Sequence, residues 1–274
     1  MINSSKLEIQ QAPAQFQLIA PVKTLIEQEW FISSLSIVVG FLLGLLATLF
    51  KEWRREYLLK KALKINLFDE IFQNRVHLDE LKVTQIKDTI NKFKALVYNN
   101  PAPTSGPSLA FFDILHIDYY NIYSKDLFYL EEQLRERIVH FYSLIKSIYA
   151  SSKKIEECFQ DFYLQKGIVG PEDICKFLDK LTIQTESAYV VGTEALALFI
   201  NSYKYSGRLP TLKDSDLNLV KEAVAGYFNK IGRNIIVELK EIRKNVSASD
   251  LLICMIVMKE NTIQKEGYGK YKFV

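Results

Sequence analysis

Three histidines (His77, His116 and His140) and three cysteines (Cys158, Cys175 and Cys254) are the residues of this chain best suited to metal or nucleophilic chemistry. Their spacing assembles neither. No Cys-x-x-Cys and no His-Glu-x-x-His occurs, so no two ligands fall at the interval a zinc site needs. The cysteines are odd in number and far apart, which is no disulfide framework and suits a reducing compartment. The phosphate-cradling patterns Gly-x-x-x-x-Gly-Lys-Ser/Thr and Gly-x-Gly-x-x-Gly are absent, and so is Gly-x-Ser-x-Gly.

Three weaker constellations remain. Asp113-Ile-Leu-His-Ile-Asp118 sets two carboxylates near an imidazole. Asp113 and His116 would share a face of a helix, as a hydrolytic or metal site requires, but a solvated polar face is the plainer reading. Asp69, Glu70, Asn74, Asp79 and Glu80 form an acidic run, yet a di-iron bundle needs Glu-x-x-His on paired helices, and that pattern is missing. Glu194 stands inside the apolar stretch Ala188–Ile200. A buried carboxylate must pair or stay protonated, so an ion pair with a buried Lys or Arg, or a turn to the surface, is expected there. No catalytic residue, metal site or cofactor is assigned, and the chain is not read as an enzyme.

The elements that would position such residues begin with the strongest signal in the sequence. Phe31–Phe50 carries no charge, and its twenty residues at ~1.5 Å rise span about 30 Å, the thickness of a hydrocarbon layer. The only two tryptophans, Trp30 and Trp53, stand at its ends, where indole rings favour the headgroup region. Ser36, Gly40 and Gly44 recur every fourth residue, a small-xxx-small face on which two membrane helices can approach closely. The flank before the span sums to −1. The flank after it, with Lys51, Arg54, Arg55, Lys60, Lys61 and Lys64 against two glutamates, sums to +4. The positive-inside rule then places the C-terminal side in the cytoplasm. The same basic residues can touch anionic headgroups. A cleaved signal peptide fits less well, because the apolar run is long, the preceding arm lacks a basic start, and no Ala-x-Ala site follows.

Beyond the span, Leu58, Ala62, Ile65, Phe68, Phe72 and Val76 continue at helical spacing without Gly or Pro. A break is expected near Lys82–Thr89. Asn99–Pro107 is the clearest breaker. A helix is expected from about Lys125 to Gln165, another opening at Pro171, with Ala188–Ile200 as its buried centre, and one from Asp214 or Ser215 to about Ile231. Arg233–Lys244 reads as helix, and Ser247–Asp250 as the cap of Leu251–Lys259. With 11 glycines and 7 prolines the chain favours long helices over a many-stranded sheet. Its 15 tyrosines and 17 phenylalanines suit ring packing between helices, or a partner-binding face. A net charge of +3 is too mild for a nucleic-acid interface.

Two stretches, Leu67-Phe-Asp-Glu-Ile-Phe-Gln-Asn-Arg-Val-His-Leu-Asp-Glu-Leu81 and Leu127-Phe-Tyr-Leu-Glu-Glu-Gln-Leu-Arg-Glu-Arg-Ile-Val-His-Phe-Tyr-Ser-Leu-Ile145, together resemble a set of uncharacterised bacterial proteins with one N-terminal membrane helix and a helical cytoplasmic domain. The resemblance covers the first half of the chain. It implies a bacterial inner-membrane protein and carries no activity.

The expected fold is all-α, a single N-terminal transmembrane helix continuing into a multi-helix cytoplasmic bundle. Residues 1–29 are a short non-cytoplasmic arm, 30–53 the anchor, 54–98 membrane-proximal helices, 99–108 a linker, 109–264 a helical domain and 265–274 a basic mobile tail. The expected role is a membrane-anchored interaction or scaffold module. Its partners would be the lipid bilayer, a second copy of itself or another protein, and not nucleic acid. The alternatives are a signalling or defence effector that rearranges through its membrane helix, and an enzyme whose site sequence spacing hides.

Overall fold

From Val22 onward, no proline interrupts the chain until well past Glu80, and Ile19–Glu80 forms one helix of 62 residues, α1. Pro21 falls in its first turn, where a missing N–H breaks no ladder bond. The structure is a computed structural model and describes residues 19–81, 86–99, 115–164, 170–203, 214–260, 262–267 and 269–274. It is predominantly helical, with eight α-helices and one small sheet among the described residues. The chain divides into two compact units, Met1–Leu59 and Lys60–Val274.

In the first unit every described side chain up to Leu58 is exposed. In the second, α1 turns one face inward. Leu63, Leu67, Phe68, Ile71, Asn74 and Leu78 follow helical spacing and are fully buried, which makes a core-facing stripe. The remaining helices are α2 (Ile86–Asn99), α3 (Asp118–Tyr123), the 3-10 turn η1 (Ser124–Tyr129), α4 (Glu132–Tyr163), α5 (Pro171–Tyr203), α6 (Asp214–Ile231), α7 (Leu239–Asn245) and α8 (Asp250–Val257). Strands β1 (Ile236–Glu238), β2 (Ile263–Gly267) and β3 (Lys270–Phe273) form an antiparallel sheet in the order β1-β3-β2.

Helix α5 is the centre of this unit. Pro171 opens it with Glu172 and Asp173 in the first turn, as the fixed φ of proline and the helix dipole favour. Val191–Phe199 is buried on all sides. Phe199 meets Phe68 of α1 edge-to-face at 5.8 Å, and Gly192 lets Phe141 of α4 approach its backbone. Ser249 caps α8, accepting the Leu252 N–H at 3.4 Å.

Three expectations are corrected. Residues 265–274 are not a mobile tail. They alternate in burial through β2 and β3, and Tyr271 is fully inside. Arg233–Lys244 is not one helix. Gly232 at φ +94° and Asn234 at φ +68° turn the chain into β1 before α7 begins. The helix expected from Lys125 starts only at Glu132, because Leu130 is extended and separates η1 from α4. Residues 60–98 also belong to the same compact unit as the later helices, so the boundary falls between Leu59 and Lys60. Of the break expected near Lys82–Thr89, residues 82–85 lie outside the described residues, and Ile86–Thr89 already belong to α2. The linker 99–108 lies outside the described residues apart from Asn99, the end of α2.

A Cβ at Gly192 would stand 2.7 Å from Cε2 of Phe141. Gly192→Val is therefore expected to overpack the α4–α5 contact and lower stability by about 1–3 kcal/mol. Thermal unfolding of the detergent-solubilised protein, followed by near-ultraviolet circular dichroism, measures this. An unchanged midpoint would contradict the packing described.

Candidate functional site

Two features have the chemistry to matter: the exposed apolar part of α1, and a buried network of charged and phenolic groups around α5. The first is the stretch, among the described residues, that is long and apolar enough to cross a membrane. None of its most apolar window is buried against the rest of the chain, which distinguishes it from a core helix such as the centre of α5.

The residues singled out in this stretch lie as follows. Trp30 and Trp53 are both exposed, and Trp53 stacks on Tyr57 at 6.1 Å. Ser36 Oγ donates to the Ile32 carbonyl at 2.8 Å, and Thr48 Oγ1 to that of Gly44 at 2.9 Å. Both hydroxyls are thus satisfied within the helix, as an apolar surrounding demands. A Cβ at Gly40 or Gly44 would meet nothing within 4 Å. Lys51, Arg54, Arg55 and Lys61 are exposed. Lys60 and Lys64 turn onto the domain instead. Lys60 Nζ stands 4.5 Å from the Tyr129 ring centroid and Lys64 Nζ 3.6 Å from that of Tyr203. Burial lowers the Lys64 pKa, opposed by the nearby charge of Glu131.

The buried network is built on Glu194, which is fully enclosed on α5. Lys265 of β2 donates to Oε2, and Arg137 Nε of α4 lies 3.4 Å from the same oxygen. Oε1 accepts the Gly269 N–H at 2.9 Å and the Tyr271 hydroxyl at 3.1 Å. Gly269 is required twice over. Its φ is +62°, and a Cβ there would stand 2.8 Å from Val190. Cys254 Sγ lies 3.4 Å from the Tyr271 hydroxyl. Burial pushes the Cys254 thiol up to about 12 and raises Tyr271 well above its ordinary value. Burial also lowers Lys265, with Glu194 opposing, and lowers His140, helped by the charge of Arg137.

A second chain of bonds joins α1, α5 and α8. Arg75 donates to Thr193 Oγ1 at 2.8 Å and to the Tyr189 hydroxyl at 2.9 Å. Tyr189 in turn donates to Asp250 Oδ2 at 2.8 Å, which also takes Arg243 Nη1 at 3.2 Å. A third group docks α3. Glu70 accepts the Tyr119 N–H at 2.7 Å, the Tyr120 N–H at 3.2 Å and the Tyr142 hydroxyl. Asn74 exchanges two bonds with the backbone of His116. Glu70 thereby satisfies the first N–H groups of α3 from another helix.

Of the Asp113–Asp118 constellation, Asp113 lies outside the described residues. His116 and Asp118 line a cleft of about 270 Å³ with Asp69, Glu70, Gln73 and Tyr119. Structure also brings His77 and His116 together, with ring centroids 6.4 Å apart, although 39 residues separate them in sequence. Among the described residues no group of three or more His, Cys, Asp or Glu has a metal-holding arrangement. Sequence reasoning found Glu194 but missed Arg137, Lys265, Gly269 and Tyr271. The alternation Lys270-Tyr-Lys-Phe273 was the signal of a half-buried strand that would have placed Tyr271 inward.

No family model, curated protein or solved structure matches this chain.

Glu194→Leu removes the shared acceptor of Lys265, Gly269 and Tyr271. The cost expected is about 3–5 kcal/mol, as for a broken buried ion pair. In the native protein Cys254 should resist iodoacetamide at pH 8, and in the variant it should react. Adding Lys265→Met should recover part of the loss, since an apolar pair can replace a buried ionic one. Equal Cys254 protection in wild type and Glu194→Leu would sink this account.

The alkaline limit follows from the same groups. Cys254, Tyr142, Tyr189 and Tyr271 are all raised in the fold, chiefly by burial. Their stabilisation is complete below the ordinary values of 9.0 for the thiol and 10.0 for the phenols and is lost as pH climbs toward the folded values. Lys64 and Lys265 are lowered and act with the opposite sign up to 10.5. Four groups outweigh two, so the urea midpoint should hold steady from pH 7 to 8.5 and fall above about pH 9–10. A midpoint that rises through that interval would contradict the assignment.

Proposed function

We propose that this chain is a single-pass protein of a bacterial inner membrane, whose helical domain is held at the cytoplasmic face as an interaction or scaffold module. The single observation that carries the reading is the continuous exposure of apolar side chains from Trp30 to Trp53. In water such a surface costs about 25 cal/mol for each Å² left uncovered, and none of the described residues covers it. A bilayer does, and the indole rings at its two ends match the two headgroup layers. The excess of basic residues after Phe50 supports the orientation, with residues 1–29 outside.

Anchoring raises the effective concentration of the domain, so weak contacts with a protein partner or a second copy become sufficient. The open space over Gly40 and Gly44 supports association through the membrane helix, because a facing helix can approach the backbone there. That observation also favours a second reading: a signalling or defence effector whose membrane helices rearrange when the domain binds.

The full-length protein in detergent, beside Gly40→Leu/Gly44→Leu, separates these possibilities by mass. The wild type is expected to run as an oligomer and the double variant to shift to monomer. Equal association of the two would exclude the Ser36/Gly40/Gly44 face, and a monomeric wild type would exclude self-association altogether. Overexpression gives the second readout. A scaffold leaves the inner membrane intact, whereas dye entry that depends on Gly40 and Gly44 selects the effector.

A further inference from the structure

The segment from α3 through η1 descends along α1. Glu70 holds the N–H groups of Tyr119 and Tyr120. Asn66 Nδ2 donates to the Tyr123 hydroxyl at 2.9 Å. Lys60 Nζ stands over the Tyr129 ring. As the α1 partner falls from Glu70 through Asn66 to Lys60, the docked residue rises from Tyr119 through Tyr123 to Tyr129. The two elements are therefore antiparallel, and the η1 tip lies beside Lys60, the first residue of the compact domain.

At that tip Leu127 and Leu130 point inward and are buried, while Phe128 is 60% exposed. Ile122, on α3 just above, is 64% exposed. Elsewhere the described phenylalanines of the domain are buried or half-buried. Among the described residues from Lys60 onward, Phe128 is the one phenylalanine left exposed, against Phe68, Phe93, Phe141, Phe199 and Phe228, which are fully enclosed.

Chain length limits what can cover it. Lys60 follows Trp53 by seven positions. That is about 10 Å as helix and no more than about 25 Å however the chain runs. We infer that Phe128, supported by Ile122, seats in the headgroup region of the same bilayer that holds the anchor, making the η1 tip a second membrane contact of the domain. This rests on the membrane reading of α1. The contact is driven by apolar insertion and not by charge, because the charges around the tip balance, Asp126, Glu131 and Glu132 against Lys60, Lys64 and Lys125. It is therefore independent of lipid charge.

The test uses the full-length chain in nanodiscs, with Phe128→Cys or Ile122→Cys carrying an NBD fluorophore in a Cys175→Ser background. Cys158 and Cys254 are buried and stay unlabelled. Ile183→Cys is the control. It is also exposed, but lies twenty residues before Tyr203, whose ring meets Lys64 at the tip end, and so stands about 30 Å away along α5. With nitroxide-labelled lipid in the discs, the fluorophore at 128 should lose emission to the same degree as Trp53, in zwitterionic and anionic discs alike, while that at 183 keeps its emission. Water-like, unquenched emission at 128 alongside quenched tryptophan would overturn the inference and leave the anchor standing. Shielding at 128 that grows with protein per disc but ignores nitroxide means a second copy covers it, and also overturns the inference. Failure of the protein to enter the discs would overturn both readings.

Discussion

A carboxylate on a helix with no water around it must be paired, and the domain is arranged so that Glu194 has four partners. Two are cations, Arg137 from α4 and Lys265 from β2, and two come from the turn and strand that follow β2, the Gly269 N–H and the Tyr271 hydroxyl. An unpaired charge in that position would cost several kcal/mol, so any arrangement that buries α5 must also bring the last ten residues over it. This explains why a short, lysine-rich C-terminus is ordered. Its strands add Tyr271 to the core and carry the groups the central helix needs. Gly269 shows how tight the requirement is, since only glycine gives both the left-handed turn and the clearance from Val190.

The same accounting runs through the other buried acids. Glu70 is matched by two backbone N–H groups and a tyrosine, and Asp250 by a tyrosine and an arginine. Tyrosine recurs because it brings a donor into an apolar interface while burying a large ring. The richness in tyrosine visible in the composition is thus more than ring packing. Tyr142, Tyr189 and Tyr271 each tie one buried acid to a neighbouring element, and Tyr123 and Tyr203 receive donors from Asn66 and from the Glu131 backbone. Each raised phenol pKa records the same burial that makes the hydroxyl a useful donor.

Helix content, the start of α5 at Pro171 and the burial of its centre were all legible, because each depends on local signals: a 3.6-residue period, a proline at the first turn, a run of apolar side chains. That Glu194 needed a charged partner was legible for the same reason. Which partner was not, because Arg137, Lys265 and Tyr271 are brought to it by tertiary packing across 57 to 77 residues of sequence. The β2–β3 pair was missed because Gly267 and Gly269, with several lysines, look like a solvated tail, and the period-2 alternation covers only four residues. Arg233–Lys244 reads as helix from its residue types, whereas the positive φ of Gly232, followed by that of Asn234, turns the chain and leads into a strand.

Helix α1 itself is subject to two different solvents along its length. From Leu63 to Leu78 most of its apolar side chains fall on one stripe and meet a core; from Trp30 to Trp53 they point in every direction and are exposed. A single periodicity cannot describe both. An amphipathic stripe is the solution when water lies on one side, and uniform apolarity is the solution when hydrocarbon lies on all sides. The change between them occurs over Lys51–Lys61, where charged residues appear all round before the stripe begins. The polar hydroxyls on the uniform part, Ser36 and Thr48, bond back to carbonyls of their own helix. By contrast, the described side-chain bonds of Asn66, Glu70, Asn74 and Arg75 reach other elements. One half of the helix keeps its polar groups to itself and the other offers them to a fold, and that difference, written in hydrogen bonds, marks where the surroundings of α1 change.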